Sequence, residues 1–282
     1  MSQNDKRADD QIAARYGTFA DQALESDQPL PVNIDGMAPQ TEKDAEHLAG
    51  RLYAGSELID LPAPAVNASI GCGNPFEIAN VQLGETVLDL GSGGGIDCFI
   101  AAKEVGPTGY VIGVDVTPSM IDLANKNRQE MGVENVEFRL GAIEAPPVDS
   151  NSVDLIISNC VIDISPDKTA VFNEAFRVLK PGGRMAISDT VLLGEIEPKL
   201  KANIDKWAGA VITPLISLQD YLQFIAEAGF VDIRVDSLTS YGLENFDQLD
   251  EASKQTLTAG VEWTPLPENT GLFSAAIWAR KP

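Results

Sequence analysis

Histidine and cysteine are scarce in this 282-residue sequence, which contains one histidine and three cysteines. Three cysteines cannot form the disulfide framework that staples small secreted domains. The single histidine, His47, offers no support for a Ser-His-Asp triad, and no CxxC motif or histidine cluster suggests structural zinc. No apolar run approaches the roughly 18–20 residues of a membrane span, and residues 1–20 are charged and polar. We therefore expect a cytoplasmic protein with reduced thiols.

Basic residues are also few, with 20 lysines and arginines against 42 acidic residues and a net charge of −22. A surface of this sign repels phosphate backbones and anionic lipid headgroups, so we expect no nucleic-acid partner and no membrane partner. The sequence pI near 4.2 fits a protein from a high-salt cytoplasm, and it fits an ordinary acidic protein equally.

The chain divides into three regions. Residues 1–66 are polar and acidic, with one helix candidate at 41–54, and we expect an N-terminal arm or cap that packs over a site. Residues 67–191 form a core of alternating strands and helices, and residues 192–282 add lid helices and two late strands. The alternation predicts βαβ units and a parallel sheet with helices on both faces.

The predicted strands are 85–90, 110–114, 136–140, 153–158, 184–188, 231–238 and 273–279. The predicted helices between and after them are 96–105, 118–131, 168–179, 199–211 and 218–228.

A glycine-rich loop follows the first predicted strand. It reads Asp89-x-Gly91-x-Gly93-x-Gly95, and Ile96 occupies the place of the last glycine in a dinucleotide fingerprint. An acid beside such a loop suits a ligand with a cationic amine and no phosphate, which describes S-adenosylmethionine. The alternative is that the glycines only turn the chain and the acids only cap helices.

The ends of the next strands carry further candidate ligands. Asp115 ends the second strand, where a carboxylate can accept both ribose hydroxyls, and residues 142–144 after the third strand can flank an adenine. We expect the cofactor to be bound by Asp89, Gly91, Ser92, Gly93, Asp115, Val116, Ala142, Ile143, Glu144 and Asn159.

The run RVLKPGG at 177–183 resembles the turn before the fifth strand of class I S-adenosylmethionine-dependent methyltransferases. That resemblance implies an α/β fold with a doubly wound, Rossmann-like, seven-stranded sheet. Its strand order would be third, second, first, fourth, fifth, seventh and sixth, with the last strand antiparallel. An N-terminal arm and C-terminal helical insertions would complete it, and residues 67–191 would bind the cofactor.

Three cysteine-bearing segments are more specific, namely GCGNP at 71–75, GSGGGIDCF at 91–99 and SNCVI at 158–162. Together they resemble the arsenite methyltransferase family. The resemblance implies that Cys72 and Cys160 are the catalytic thiolates and hold trivalent arsenic, as substrate, beside the methyl donor S-adenosylmethionine. It also implies arsenite or methylarsenite, free or carried on a thiol, as the small-molecule substrate, and a thiol reductant as partner.

The sequence departs from that family at the third arsenic-binding cysteine, where Ala210 stands, and at Asp163, which replaces an asparagine. Residues 16–40 also lack the N-terminal cysteine pair that is often found there. Two alternatives therefore stay open: methylation of another small-molecule nucleophile, and binding of S-adenosylmethionine or a metalloid without turnover. Cys98, within a predicted apolar helix, is better explained as a small core residue, and that role is open to the other two cysteines as well.

Asp115→Ala should weaken S-adenosylmethionine binding, because the change removes a charged acceptor of two hydroxyl groups. A hydrogen bond to a charged group contributes about 1.5–3 kcal/mol. Isothermal calorimetry checks this prediction, and an unchanged affinity would remove Asp115 from the predicted cofactor site.

Overall fold

A computed structural model describes residues 10–14, 16–18, 20–21, 23, 52–53, 58, 60–69, 71–208, 210, 213–249 and 251–282. The helix predicted near 41–54 lies outside these residues except for Leu52 and Tyr53, and His47 lies outside them too. Within the described ranges, no helix is both long and apolar enough to cross a membrane.

Seven strands form one sheet with the order β3-β2-β1-β4-β5-β7-β6. The strands are β1 Thr86–Leu90, β2 Tyr110–Asp115, β3 Val136–Leu140, β4 Val153–Asn159, β5 Leu179–Leu193, β6 Val231–Ser240 and β7 Gly271–Arg280. β1 to β5 are parallel, and β7 runs antiparallel between β5 and β6. The predicted strand order and the antiparallel last strand are confirmed.

The described helices alternate with the strands over the first half of the sheet. They are α1 Ala63–Asn67, α2 Phe76–Ala79, α3 Ile96–Val105, α4 Pro118–Met131, α5 Lys168–Val178, α6 Pro198–Trp207, α7 Leu218–Glu227 and α8 Glu251–Leu257, with a 3₁₀ helix at Leu243–Gln248. Pro118 stands at the first position of α4, where its missing N–H costs no hydrogen bond. Asp167 caps α5 by accepting a hydrogen bond from the Ala170 N–H.

The central strands are buried on both faces of the sheet. Val87 and Leu88 of β1 point to opposite faces, because side chains alternate along a strand, and both are fully buried. Leu88 belongs to the cluster that contains Phe172 of α5, and Val87 belongs to the cluster that contains Phe99 of α3. This two-sided burial explains the continuous apolar runs in the sequence.

The C-terminal region extends the same sheet. Its helices α6 and α8 pack at the ends of β5 and β7 through an apolar cluster that includes Ile204, Trp207 and Leu257. β5 is longer than the predicted 184–188, since residues up to Leu193 pair with β7. α6 ends at Trp207 and not at the predicted residue 211.

Leu88→Ala should destabilise the fold, because it opens a cavity in the middle of the sheet. Truncation of a buried leucine costs about 2–5 kcal/mol. Leu83→Ala is the matched control: Leu83 is 81% exposed, and surface changes stay within about 0.5 kcal/mol. Urea unfolding of both variants tests this, and equal losses would contradict the described core.

Candidate functional site

A cavity opens at the carboxyl ends of the parallel strands, where doubly wound sheets place ligands. Its walls come from the loops after β1, β2, β3 and β4 and from the N-terminal residues Ile12 and Tyr16. Every predicted cofactor residue except Asp89 lies in the cavity wall: Gly91, Ser92, Gly93, Asp115, Val116, Ala142, Ile143, Glu144 and Asn159. Tyr16 and Ile12 carry no local motif that would predict a place in the cavity wall.

The glycine loop needs its glycines for two different reasons. Gly91 has φ +74°, and a Cβ there would collide with the side chain of Val161. Gly93 has φ +51°, and a Cβ there would meet nothing within 4 Å. The backbone at Gly93 therefore faces open space in the cavity, while Gly91 allows the loop to pass close under the chain after β4.

Asp115 is held in place by two backbone donors. Its carboxylate accepts hydrogen bonds from the Gly93 N–H at 3.0 Å and from the Thr117 N–H at 2.8 Å. Burial raises the pKa of Asp115, and these hydrogen bonds oppose that rise. The carboxylate is thus fixed between the glycine loop and the start of α4, on the cavity wall.

Asp89 in β1 and Asp97 at the start of α3 lie differently with respect to the cavity. The sequence predicted Asp89, and not Asp97, as a cofactor ligand. Asp89 is 2% exposed, accepts a hydrogen bond from the Cys98 thiol at 3.3 Å, and is not among the residues of the cavity wall. Burial, with the nearby charge of Asp97 as a second cause, holds the pKa of Asp89 well above its usual value. Asp97 does line the cavity, and it accepts a hydrogen bond from the Tyr53 hydroxyl at 2.7 Å. The position of Asp97 in the first turn of the predicted helix is the sequence feature that could have identified it as a site residue.

Cys72 and Cys160 meet beside the cavity and form a disulfide with a Cα–Cα distance of 5.6 Å. They are 88 residues apart in the chain. Cys160 lies on the cavity wall, directly after β4, and its N–H donates to the Ser188 carbonyl of β5 at 2.8 Å. Cys98 is buried in α3, away from this pair.

The side chain of Asn159 holds the segment that carries Cys72. Its Oδ1 accepts hydrogen bonds from the N–H groups of Cys72 at 2.9 Å and Gly73 at 3.2 Å. Its Nδ2 donates to the Gly73 carbonyl at 2.7 Å and to the Tyr53 hydroxyl at 2.8 Å. An asparagine amide has two donor and two acceptor positions, so all four are used.

The glycines on either side of Cys72 permit this close approach. A Cβ on Gly71 would collide with the Asn159 amide, and a Cβ on Gly73 would lie 2.8 Å from both Cβ and Oγ of Ser188. Contacts that short require something to move. The GCG pattern therefore has a packing reason, which is that Cys72 must lie flat against the ends of β4 and β5.

Ala210 stands where the family resemblance would place a third thiol. It packs against an apolar cluster that includes Trp207 and Leu215, and it is not part of the cavity wall. Asp163, the other departure from the family, follows β4 in the chain and is buried. Its carboxylate accepts a hydrogen bond from the Thr190 hydroxyl.

Gly73→Ala should prevent Cys72 from reaching Cys160, because the new methyl group would press on Ser188. We expect slower disulfide formation, measured as free thiols remaining after mild oxidation. The double variant Gly73→Ala, Ser188→Gly removes the obstructing side chain and should recover most of the loss. Unchanged oxidation in the single variant would contradict the described packing.

A family model described as a methyltransferase domain matches residues 82–229. The arsenite methyltransferase of Halobacterium salinarum is 38% identical over 256 residues, which cover 89% of this chain and 65% of that protein. The arsenite methyltransferase of Aquipseudomonas alcaligenes is 38% identical over 156 residues, which cover 53% of this chain and 45% of that protein.

Among solved structures, an arsenic(III) S-adenosylmethionine methyltransferase from Chlamydomonas reinhardtii matches with a TM-score of 0.62 and 31% identity. The match covers 80% of this chain and 71% of that one. Measured against the two arsenite methyltransferases from Halobacterium salinarum and Aquipseudomonas alcaligenes, this chain spans less than two thirds of their lengths. The family model spans more than half of this chain and includes the glycine loop and β1 to β5. The chain therefore belongs to the S-adenosylmethionine-dependent methyltransferase family, with the class I fold.

Proposed function

We propose that this protein transfers a methyl group from S-adenosylmethionine to trivalent arsenic held by Cys72 and Cys160. The observation that carries the proposal is the meeting of these two sulfurs at the wall of the cavity. The names of the curated relatives support the same substrate. Cys160 faces the cavity directly, so arsenic on this pair would lie next to a bound cofactor.

The residues of the cavity fit S-adenosylmethionine. Ser92 Oγ is buried and has no hydrogen-bond partner among the residues that the structure describes, so it has a donor and acceptor to offer a ligand. We assign Asp115 to the ribose hydroxyls and residues 142–144 to the adenine. Asp97, which faces the cavity where Asp89 does not, is the better candidate for the cationic amine. When bound, the cofactor supplies an electrophilic methyl group.

The thiols supply binding and orientation rather than acid–base catalysis. Arsenic(III) prefers soft sulfur ligands. Each arsenic–sulfur bond that forms releases one hydroxide from arsenite, which leaves as water with the proton of the thiol. The arsenic lone pair then needs no proton removed before it attacks a methyl carbon. Fixing the two reacting centres together can contribute up to roughly 7–11 kcal/mol in the best intramolecular cases.

The disulfide sets a requirement for a reductant. Sulfurs that are bonded to each other cannot bind arsenic, so the described form must be reduced before substrate enters. A small thiol or a dithiol protein would serve as the partner that supplies the electrons. The need for free thiols favours the cytoplasm as the site of action.

The position of Ala210 favours arsenic that brings its own third ligand. Two protein thiolates leave one arsenic valence unfilled, and Ala210 lies in an apolar cluster outside the cavity wall. A methyl group or a small thiol on the arsenic fills that valence. We therefore propose methylarsenite and thiol-bound arsenite as better substrates than free arsenite.

Cys72→Ser and Cys160→Ser should each abolish methyl transfer to arsenic and leave S-adenosylmethionine binding intact. The assay follows labelled methyl groups from the donor to arsenite and methylarsenite. Cys98→Ser is the matched control, since it keeps a hydroxyl donor to Asp89 and lies away from the pair; we expect it to retain activity.

The same assay includes antimonite and a panel of organic oxygen, nitrogen, carbon and sulfur acceptors. If both serine variants methylate arsenic as well as the parent does, the proposal is wrong. Transfer to an organic acceptor without transfer to arsenic would favour the alternative small-molecule methyltransferase. Binding of donor and metalloid without any transfer would favour the non-catalytic alternative.

A further inference from the structure

A third potential ligand lies beside the two cysteines. One carboxylate oxygen of Asp189 and the sulfurs of Cys72 and Cys160 all lie within 4.8 Å of one another. Asp189 follows Ser188 on β5, and the Ser188 carbonyl contacts both cysteines, at 2.8 Å from the Cys160 N–H and 3.5 Å from the Cys72 sulfur. Asp189 has no part in the thiol chemistry proposed above.

The Asp189 carboxylate is already fixed in position. It is fully buried and accepts hydrogen bonds from the Asp163 N–H at 2.9 Å, the Thr190 N–H at 3.0 Å and the Tyr221 hydroxyl at 2.8 Å. A ligand held this way loses little conformational freedom when it binds. It therefore presents an oxygen donor to whatever the two sulfurs hold.

The three donors lie in a partly buried, acidic setting. A second buried carboxylate, Asp163, lies next to Asp189, and its Oδ1 has no hydrogen-bond partner within the described part of the chain. The Lys168 ammonium acts on both carboxylates, but its hydrogen bonds go to the Asp163 and Ser165 carbonyls. Reduced thiols that ionise would add further negative charge. Burial raises the pKa of both carboxyls, so positive charge held by the three donors would favour their ionised forms.

A divalent cation supplies positive charge to this acidic setting, whereas a neutral arsenic hydroxide bound to two thiols does not. Zinc binds thiolate sulfur and carboxylate oxygen, and catalytic zinc sites use three protein ligands and keep a fourth position open. Zinc–ligand bonds of about 2.0–2.3 Å place the donor atoms roughly 3.5 Å apart. The three donor atoms lie within 4.8 Å of one another, so the described spacing is near the one that zinc needs.

We propose that the reduced protein binds a thiophilic divalent cation, with zinc as the biological example, through Cys72, Cys160 and Asp189. Two thiol protons leave to solvent as two metal–sulfur bonds form. The fourth position stays open to water or a small ligand. Because arsenic needs the same two sulfurs, zinc and arsenic exclude each other at this site.

Cobalt(II) is the probe, because thiolate ligation gives it charge-transfer absorption and tetrahedral ligation gives strong visible bands. Reduced, metal-free protein should take up one equivalent of Co²⁺ with both signals, and Zn²⁺ should displace it. Zn²⁺ should also raise the arsenite concentration needed for half-saturation. Oxidised protein should give neither signal. Absence of both signals in the reduced parent would overturn the proposal.

Asp189→Asn tests whether the carboxylate is a metal ligand or whether the two thiols alone bind the metal. We expect its affinity for Co²⁺ to fall by about tenfold or more, as metal affinity does when ligand shells are altered. Cys98→Ser keeps all three ligands and the hydrogen bonds that hold Asp189, and it should retain one equivalent of Co²⁺. Thermal unfolding and S-adenosylmethionine binding verify that each variant is folded.

Asp189→Ser removes the carboxylate without adding an amide, and it replaces the asparagine variant if that one does not fold. Unchanged cobalt affinity in the folded variant would show that Asp189 is not a ligand, and the proposal would fail. Cobalt binding involves no methyl transfer. A failed cobalt titration with intact arsenic methylation would reject only the metal site, and the reverse result would reject only the proposed reaction.

Discussion

The side-chain amide of Asn159 is the interaction on which the arrangement of the thiol pair depends. Its four hydrogen bonds join segments that are 86 to 106 residues apart in the chain. The contact continues through the Tyr53 hydroxyl to Asp97 on the cavity wall. Because burial and the charge of Asp97 keep the pKa of Tyr53 well above its usual value, the phenol stays a donor. The Asn159 amide cannot rotate without losing hydrogen bonds. It therefore fixes the segment that carries Cys72 relative to the cavity wall at Asp97.

A second polar group, centred on Asp189, lies behind the thiols. Asp163, Thr190 and Tyr221 surround it, and all are buried. Burial is the largest cause that raises the pKa of Asp189 well above its ordinary range, and the neighbouring Asp163 adds to the rise. Such a group contributes little to stability compared with apolar packing of the same volume.

Local patterns predicted the strands and the glycine loop, because each depends on neighbouring residues, and the family resemblance pointed to the two cysteine segments. α3 and α4 have the predicted bounds, and each has the buried apolar face expected of such helices. The length of β5 was not predictable, since the polar residues Ser188 to Thr190 lie in its middle and only pairing with β7 explains them. Asp89 lies behind the glycine loop because its side chain points to the face of the sheet that α3 covers. Single acids such as Asp97, Asp163 and Asp189 leave no periodic signal, and their neighbours come from distant parts of the chain.

The position of β7 affects how the molecule reaches its folded state. Among the described residues, β6 pairs only with β7, and β7 separates it from β5. Residues 231–240 therefore join the rest of the sheet only through residues 271–280, which pair with β5. During synthesis on the ribosome the edge of β5 stays open while residues 194–270 and then β7 itself emerge, at translation rates of roughly 5–20 residues per second. An exposed strand edge is a site of mispairing, so the apolar stretch GLFSAAIWA at 271–279 must reach its partner before another chain does.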